Sequence, residues 1–147
     1  FKLATGTFVS VGPLRGRVIA GGAPYIQDVV ITGLNRHEVG ALVFPTQAVR
    51  SLVDLPPDAP FETVLKQHAV LQKFQSLVTD LSLTATGSAN RVTRLMLMAE
   101  PPSIDLGEVT DKGSINQRAV LKARDALVQA LYDETPGHIV IKPGVNL

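Results

Sequence analysis

The residues of this chain best suited to chemistry lie in one polar run, Glu108-Val109-Thr110-Asp111-Lys112-Gly113-Ser114-Ile115-Asn116-Gln117-Arg118. It reads as a turn with a single lysine at its tip, leading straight into the start of a helix. Gly113 beside Lys112 gives the turn a backbone freedom that a β-carbon forbids. Ser114 followed by Gln117 has the capping-box spacing, in which the serine oxygen accepts from a free N–H and the glutamine reaches back to another. Such a run holds a long cation out on a mobile loop and anchors one end of it. A solvated surface lysine carries the same signature, and from these residues alone it is the commoner case.

Other chemistries find little support. His37 falls in a turn, His68 on a long helical stretch and His138 near the C-terminus, and none has a partner at i±4 to form a metal pair. His68 is expected half-buried and hydrogen-bonded beside an apolar stripe. No metal site is expected. No serine sits in a Gly-x-Ser-x-Gly elbow. Gly21-Gly22 lacks both the spacing and the preceding strand of a dinucleotide loop, and reads as a helix stop. Arg15, Arg17, Arg91 and Arg94 read as scattered solvated charges.

Composition narrows the field further. The chain has 147 residues, enough for one domain, or one domain with an inserted subdomain. Fourteen basic residues against 13 acidic ones leave a net charge of +1, which gives no sign of a nucleic-acid or membrane surface. There is no cysteine, so neither a disulfide framework nor a thiolate metal site is available. No apolar run approaches the ~18 residues of a membrane span. No signal peptide is evident, a cytoplasmic location is expected, and a start at Phe1 is expected of a piece of a longer protein.

The elements that must position the lysine turn follow from periodicity. Lys2 to Val11 reads as two extended pieces around Thr5-Gly6-Thr7. Gly12-Pro13 then starts a helix with Leu14, Val18 and Ile19 as its apolar stripe, ended by Gly21-Gly22. Tyr25–Thr32 and Val39–Phe44 form an antiparallel hairpin in which Val30 and Leu42 face a helix layer. Pro45 breaks the second strand, a short helix covers Thr46–Val53, and Leu55–Pro60 is a rigid connector. Phe61–Leu83 carries the longest helical signal, with Phe61, Val64, Leu65, Leu71, Phe74, Val78 and Leu81 at three- and four-residue steps. Arg91–Met98 is a strand buried on both faces through Leu95-Met96-Leu97-Met98. Ile104–Val109 is short and extended. Ser114–Tyr132 is the last helix, with Val120, Ala123, Leu127 and Leu131 as its stripe, and His138–Ile141 is a candidate edge strand. The order predicts an α+β domain, a small and mostly antiparallel sheet with helices packed on it.

Two of these segments together carry a resemblance. Gly6-Thr7-Phe8-Val9-Ser10-Val11-Gly12-Pro13-Leu14-Arg15, followed by Ala23 to Gly33, resembles the C-terminal domain of adenylate-forming acyl-CoA ligases. Thr110-Asp111-Lys112-Gly113-Ser114-Ile115-Asn116-Gln117-Arg118 resembles a variant of that family's C-terminal lysine motif, in the wording of feruloyl-CoA synthase and its aryl and long-chain relatives. Asp111 stands where the common motif has glycine, and Gly113 follows the lysine instead. The spacing to Arg118 is longer than usual, and the family's lysine near the domain start falls at or beside Lys2. The likeness is weakest over residues 46–90, which the resemblance marks as a helical insertion.

The resemblance implies residues 1–147 as the mobile C-terminal domain of an AMP-forming acid–CoA ligase, inactive alone. It implies ATP, Mg and CoA as cofactors, bound mostly by a large N-terminal adenylation domain that is the principal partner and is missing from this sequence. A small carboxylic acid is the substrate. Phe1 then falls just past the hinge. Lys112 is implied as the adenylation lysine, beside the α-phosphate and the incoming carboxylate, where a cation stabilises shifting negative charge. Rotation of the domain then withdraws it and presents the face around Thr5, Gly6 and Thr7 to CoA. The rival expectation is a stand-alone α+β interaction module using the Phe61–Leu83 helix, with no catalytic role.

Overall fold

A computed structural model describes residues 1–144. A three-stranded sheet in the order β1-β2-β3 lies between two helical layers. Strand β1 (Ile26–Thr32) pairs antiparallel with β2 (Val39–Pro45), and Val30 stands opposite Leu42. Strand β3 (Val92–Leu97) runs parallel to β2, and Ile141 adds a single antiparallel bridge to Leu95. The α+β expectation therefore holds, with the sheet mixed at β3. The parallel pairing follows from the crossover through residues 46–90, which returns the chain to the end at which β2 began.

Because side chains alternate across a strand, the sheet divides the core in two. Val29, Ile31, Ala41 and Val43 face helices α1 (Val11–Gly22), α2 (Phe61–Leu65) and α3 (His68–Thr84). There they meet Leu14, Val18, Val70, Phe74 and Val78, all buried. Val30, Leu42, Phe44, Met96 and Met98 face α4 (Gln117–Ala123) and α5 (Asp125–Asp133), where Val120, Ala130 and Leu131 close the second core. Residues 46–90 are thus structural in weight, since α2 and α3 supply much of the first core.

Several sequence expectations change in the fold. The long helical stretch is two helices, because Gln67 (φ −70°, ψ 142°) turns extended between α2 and α3. His68 begins α3 exposed, so its expected half-burial is incorrect. The last helix is also two, broken at Arg124 (φ −110°, ψ 29°), and Ala123 is exposed where the stripe placed it inside. Ile104 to Gly107 turns instead of extending, closed by the Gly107 N–H on the Ile104 carbonyl at 3.0 Å. Two of the arginines read as solvated are paired: Arg15 grips Asp28 through two bonds of 2.8 and 2.9 Å, and Arg94 is only 9% exposed. Arg94 donates to Glu38 at 2.8 Å and to the Leu131 carbonyl at 2.9 Å, so a cation meets the unsatisfied carbonyls near the end of α5. Among the described residues no helix is long and apolar enough to cross a membrane.

Candidate active site: a lysine hairpin and its buried anchor

Val109 and Ile115 form an antiparallel bridge, and the chain between them folds into a tight hairpin. The Thr110 N–H donates to the Ser114 carbonyl and the Gly113 N–H to the Thr110 carbonyl, both at 2.8 Å. Asp111, Lys112 and Gly113 are therefore a three-residue loop whose last position is left-handed, with Gly113 at φ +81°. Glycine fills that position without the clash a β-carbon would bring, which is the usual chemistry of three-residue hairpins. The Thr110 and Ser114 hydroxyls tie the two arms together at 2.7 Å. Lys112 at the tip is exposed. The ion pairs among the described residues are Arg15–Asp28, Lys66–Glu62, Arg94–Glu38, Arg124–Glu108 and Lys142–Glu134, so none engages it.

The expected capping box is absent, and both of its residues have other work. Ser114 bonds across the hairpin to Thr110. Asn116 caps α4 instead, its side-chain oxygen accepting from the Ala119 N–H at 3.1 Å. Gln117 reaches the edge of the sheet, where its side-chain oxygen accepts from the Ile31 N–H at 3.0 Å. An edge N–H that would otherwise face water is thereby closed, and the hairpin-to-helix junction is pinned to β1.

At the root of the hairpin lies Glu108, with its side chain fully buried. Arg124 grips it with two bonds, Nε at 2.9 Å and Nη2 at 3.0 Å, and the Ser103 N–H adds a third at 2.8 Å. The Arg124 guanidinium beside it holds the Glu108 carboxyl below the usual carboxylate range, against the upward push of burial. Arg124 also donates to the carbonyls of Glu100 (3.0 Å) and Pro101 (2.9 Å) and lies 4.9 Å over the Phe44 ring. The Glu108 carbonyl accepts from Asn116 at 2.8 Å, joining the end of the hairpin back to its start. Neither residue was legible as a partner of the other, because an acid and a base sixteen residues apart have no fixed spacing in sequence.

A second hairpin repeats the first turn. Lys2 bridges Phe8, the Leu3 N–H donates to the Thr7 carbonyl, and the Gly6 N–H donates to the Leu3 carbonyl, both at 2.9 Å. Gly6 has φ +85°, and Thr5 and Thr7 join hydroxyls at 3.1 Å. Thr5, Gly6 and Thr7 are all exposed, and a side chain added at Gly6 would meet nothing within 4 Å. Lys2 sits 4.8 Å over the Phe8 ring. Leu3 and Val9 root this hairpin in the first core, whereas Ile115 roots the lysine hairpin in the second. The two candidate sites therefore grow from opposite faces of the sheet, and the structure does not bring them together. Arg118 is exposed beside neither turn's bonds. Among the described residues no group of three His, Cys, Asp or Glu side chains is placed to hold a metal ion.

A small α+β layer with two glycine hairpins, one carrying a lone exposed lysine, is the class of domain that the fold and these turns define. The family model described as the AMP-binding enzyme C-terminal domain matches residues 2–136, and the chain belongs to that family. The match disfavours the stand-alone interaction module. Solved structures share the fold. The adenylation domain of a carboxylic acid reductase from Segniliparus rugosus, in complex with AMP and a co-purified carboxylic acid, aligns at a TM-score of 0.60 and 22% identity, covering 91% of this chain and 20% of that one. The adenylation domain of a carboxylate reductase from Mycobacterium chelonae aligns at 0.60 and 19%, covering 90% and 19%. The A-PCP didomain of the Segniliparus enzyme, in complex with AMP, aligns at 0.60 and 21%, covering 91% and 17%. This chain thus spans about a fifth of the length of the structures it matches. A comparison with curated proteins finds no match.

Proposed function

We propose that this chain is the mobile C-terminal domain of an AMP-forming acid–CoA ligase of the feruloyl-CoA synthase kind, with residues 46–90 as its helical insertion. The large N-terminal adenylation domain is its partner and binds most of the ATP, magnesium and CoA. The observation that carries this reading is Lys112: an exposed ammonium at a hairpin tip, engaged by none of the ion pairs among the described residues, in a chain of the AMP-binding C-terminal family.

In the first step a carboxylate oxygen attacks the α-phosphorus of ATP. The bond to the bridging oxygen breaks, and pyrophosphate leaves with the electron pair. Anion approaches anion, so a cation held beside the α-phosphate and the incoming oxygen lowers the barrier. Lys112 supplies that cation. In the second step CoA thiolate attacks the acyl carbon and AMP departs with the carboxyl oxygen. Between the steps the domain rotates, Lys112 withdraws, and the hairpin of Thr5, Gly6 and Thr7 comes to the CoA channel, where the bare Gly6 leaves room for the pantetheine arm. That the two hairpins are rooted on opposite faces of the sheet supports one rotation exchanging them.

The test uses the full-length protein. Lys112→Ala lowers pyrophosphate release from ATP and acid about a hundredfold, the usual cost of removing one charge-stabilising contact. Thioester formation from supplied acyl-adenylate and CoA persists. Equal loss of both steps, or of neither, contradicts the assignment. Pyrophosphate release without any CoA thioester would move the protein from the ligases toward the reductases whose fold it shares.

A further inference from the structure

The lysine hairpin is a three-residue loop with two exposed arms, and such a turn does not fix its own direction. Its aim comes from the root. Glu108 is the residue where the preceding turn, the hairpin and the α4–α5 break converge. Its N–H donates to the Ser103 carbonyl at 2.9 Å, its carbonyl receives Asn116, and its carboxylate holds both Ser103 and Arg124. Arg124 in turn fixes the carbonyls at Glu100 and Pro101, where the chain leaves the sheet. An ion pair with its carboxylate fully buried and its guanidinium only 11% exposed is a costly way to obtain stability alone, since well-packed apolar residues often serve as well. What the pair does supply is direction, because a bidentate arginine–carboxylate fork fixes angle as well as distance.

We propose that Glu108, held by Arg124, is a positioning residue for the first half-reaction, setting the register of the Lys112 hairpin against the nucleotide. This rests on the reading of Lys112 given above. A lysine displaced by an ångström loses its place beside the phosphorus, an error that costs up to about a hundredfold in rate.

The experiment is carried out on the full-length protein with Glu108→Gln, which keeps the shape and an acceptor for Ser103 but removes the charge. Arg124→Lys, which keeps the charge but removes the fork, is the second variant should the first not fold. The expected result is a fall of about tenfold or more in kcat for pyrophosphate release, with KM for ATP and acid little changed, and thioester formation from supplied acyl-adenylate within about twofold of the parent. A parallel loss of both half-reactions, or a purely thermal loss with both rates intact, overturns the inference and leaves the pair a stabilising contact. Lys112→Ala serves as the control. If it leaves pyrophosphate release unchanged, the lysine reading fails and the positioning role with it. If it abolishes release while Glu108→Gln and Arg124→Lys behave as the parent, the positioning role alone fails.

Discussion

The two hairpins of this domain have the same backbone and opposite equipment. Each is a three-residue loop ending in a left-handed glycine, Gly6 at φ +85° and Gly113 at φ +81°; a hydroxyl pair joins the loop to one arm in the first (Thr5–Thr7) and ties the two arms together in the second (Thr110–Ser114). At the position before the glycine, however, the first carries Thr5 and the second Lys112. Their roots differ as well. The first is held by apolar burial of Leu3 and Val9, with backbone bonds from Ala4 to Arg36 at 2.7 Å and from Asn35 to Lys2 at 3.2 Å. The second is held by a buried charge fork. Apolar burial is non-directional, whereas a fork of charged hydrogen bonds is directional. On the proposed function the difference has a reason: one turn need only leave space for a passing ligand, while the other must aim an ammonium.

The comparison breaks most sharply at the tips. Lys112→Ala, with its expected hundredfold loss of adenylation, has no counterpart at Thr5, where Thr5→Ala should leave pyrophosphate release unchanged. Gly6→Ile tests the other tip. It should lower thioester formation about tenfold or more while sparing pyrophosphate release, because a branched side chain then occupies the open approach to the turn. Separate assays of the two half-reactions check both variants, and a Gly6→Ile enzyme impaired equally in each would erase the distinction between the hairpins.

A smaller effect sharpens the shared geometry. Gly6→Ala and Gly113→Ala each force a β-carbon into a left-handed position, costing about 1–2 kcal/mol of domain stability, which chemical denaturation of the isolated domain would read. Equal costs confirm equivalent turns. Only the second should also lower adenylation.

The roots separate under acid. Folding depresses the Glu108 carboxyl, so its contribution is fully present above the unfolded carboxylate value of about 4.3 and is lost as pH falls through the lower folded value. Denaturation curves across that window should show stability declining in the parent and declining less in Glu108→Gln. The apolar root of the first hairpin contributes no such dependence. Loss of adenylation in step with that decline would tie the fork to the aim of the lysine.

Local chemistry determined much of this protein in advance. The paired glycines ended α1, though the helix begins at Val11, two residues before Pro13; β-rich runs around a polar turn set β1 against β2, and Gly113 beside Lys112 announced a turn with a cation at its tip. Each depends on neighbours a few residues apart, for which local propensity and backbone sterics are sufficient. What the tertiary structure alone decided lies between distant residues. Gln117 closes Ile31 across 86 positions instead of capping its own helix, Arg94 is drawn inward to Glu38 and the carbonyls of α5, and the last helix breaks where Arg124 turns to Glu108. In each case a polar group satisfies its hydrogen bonds with whatever the fold brings near it, and burial raises the cost of leaving one unmet. Spacing in the chain carries no record of that choice.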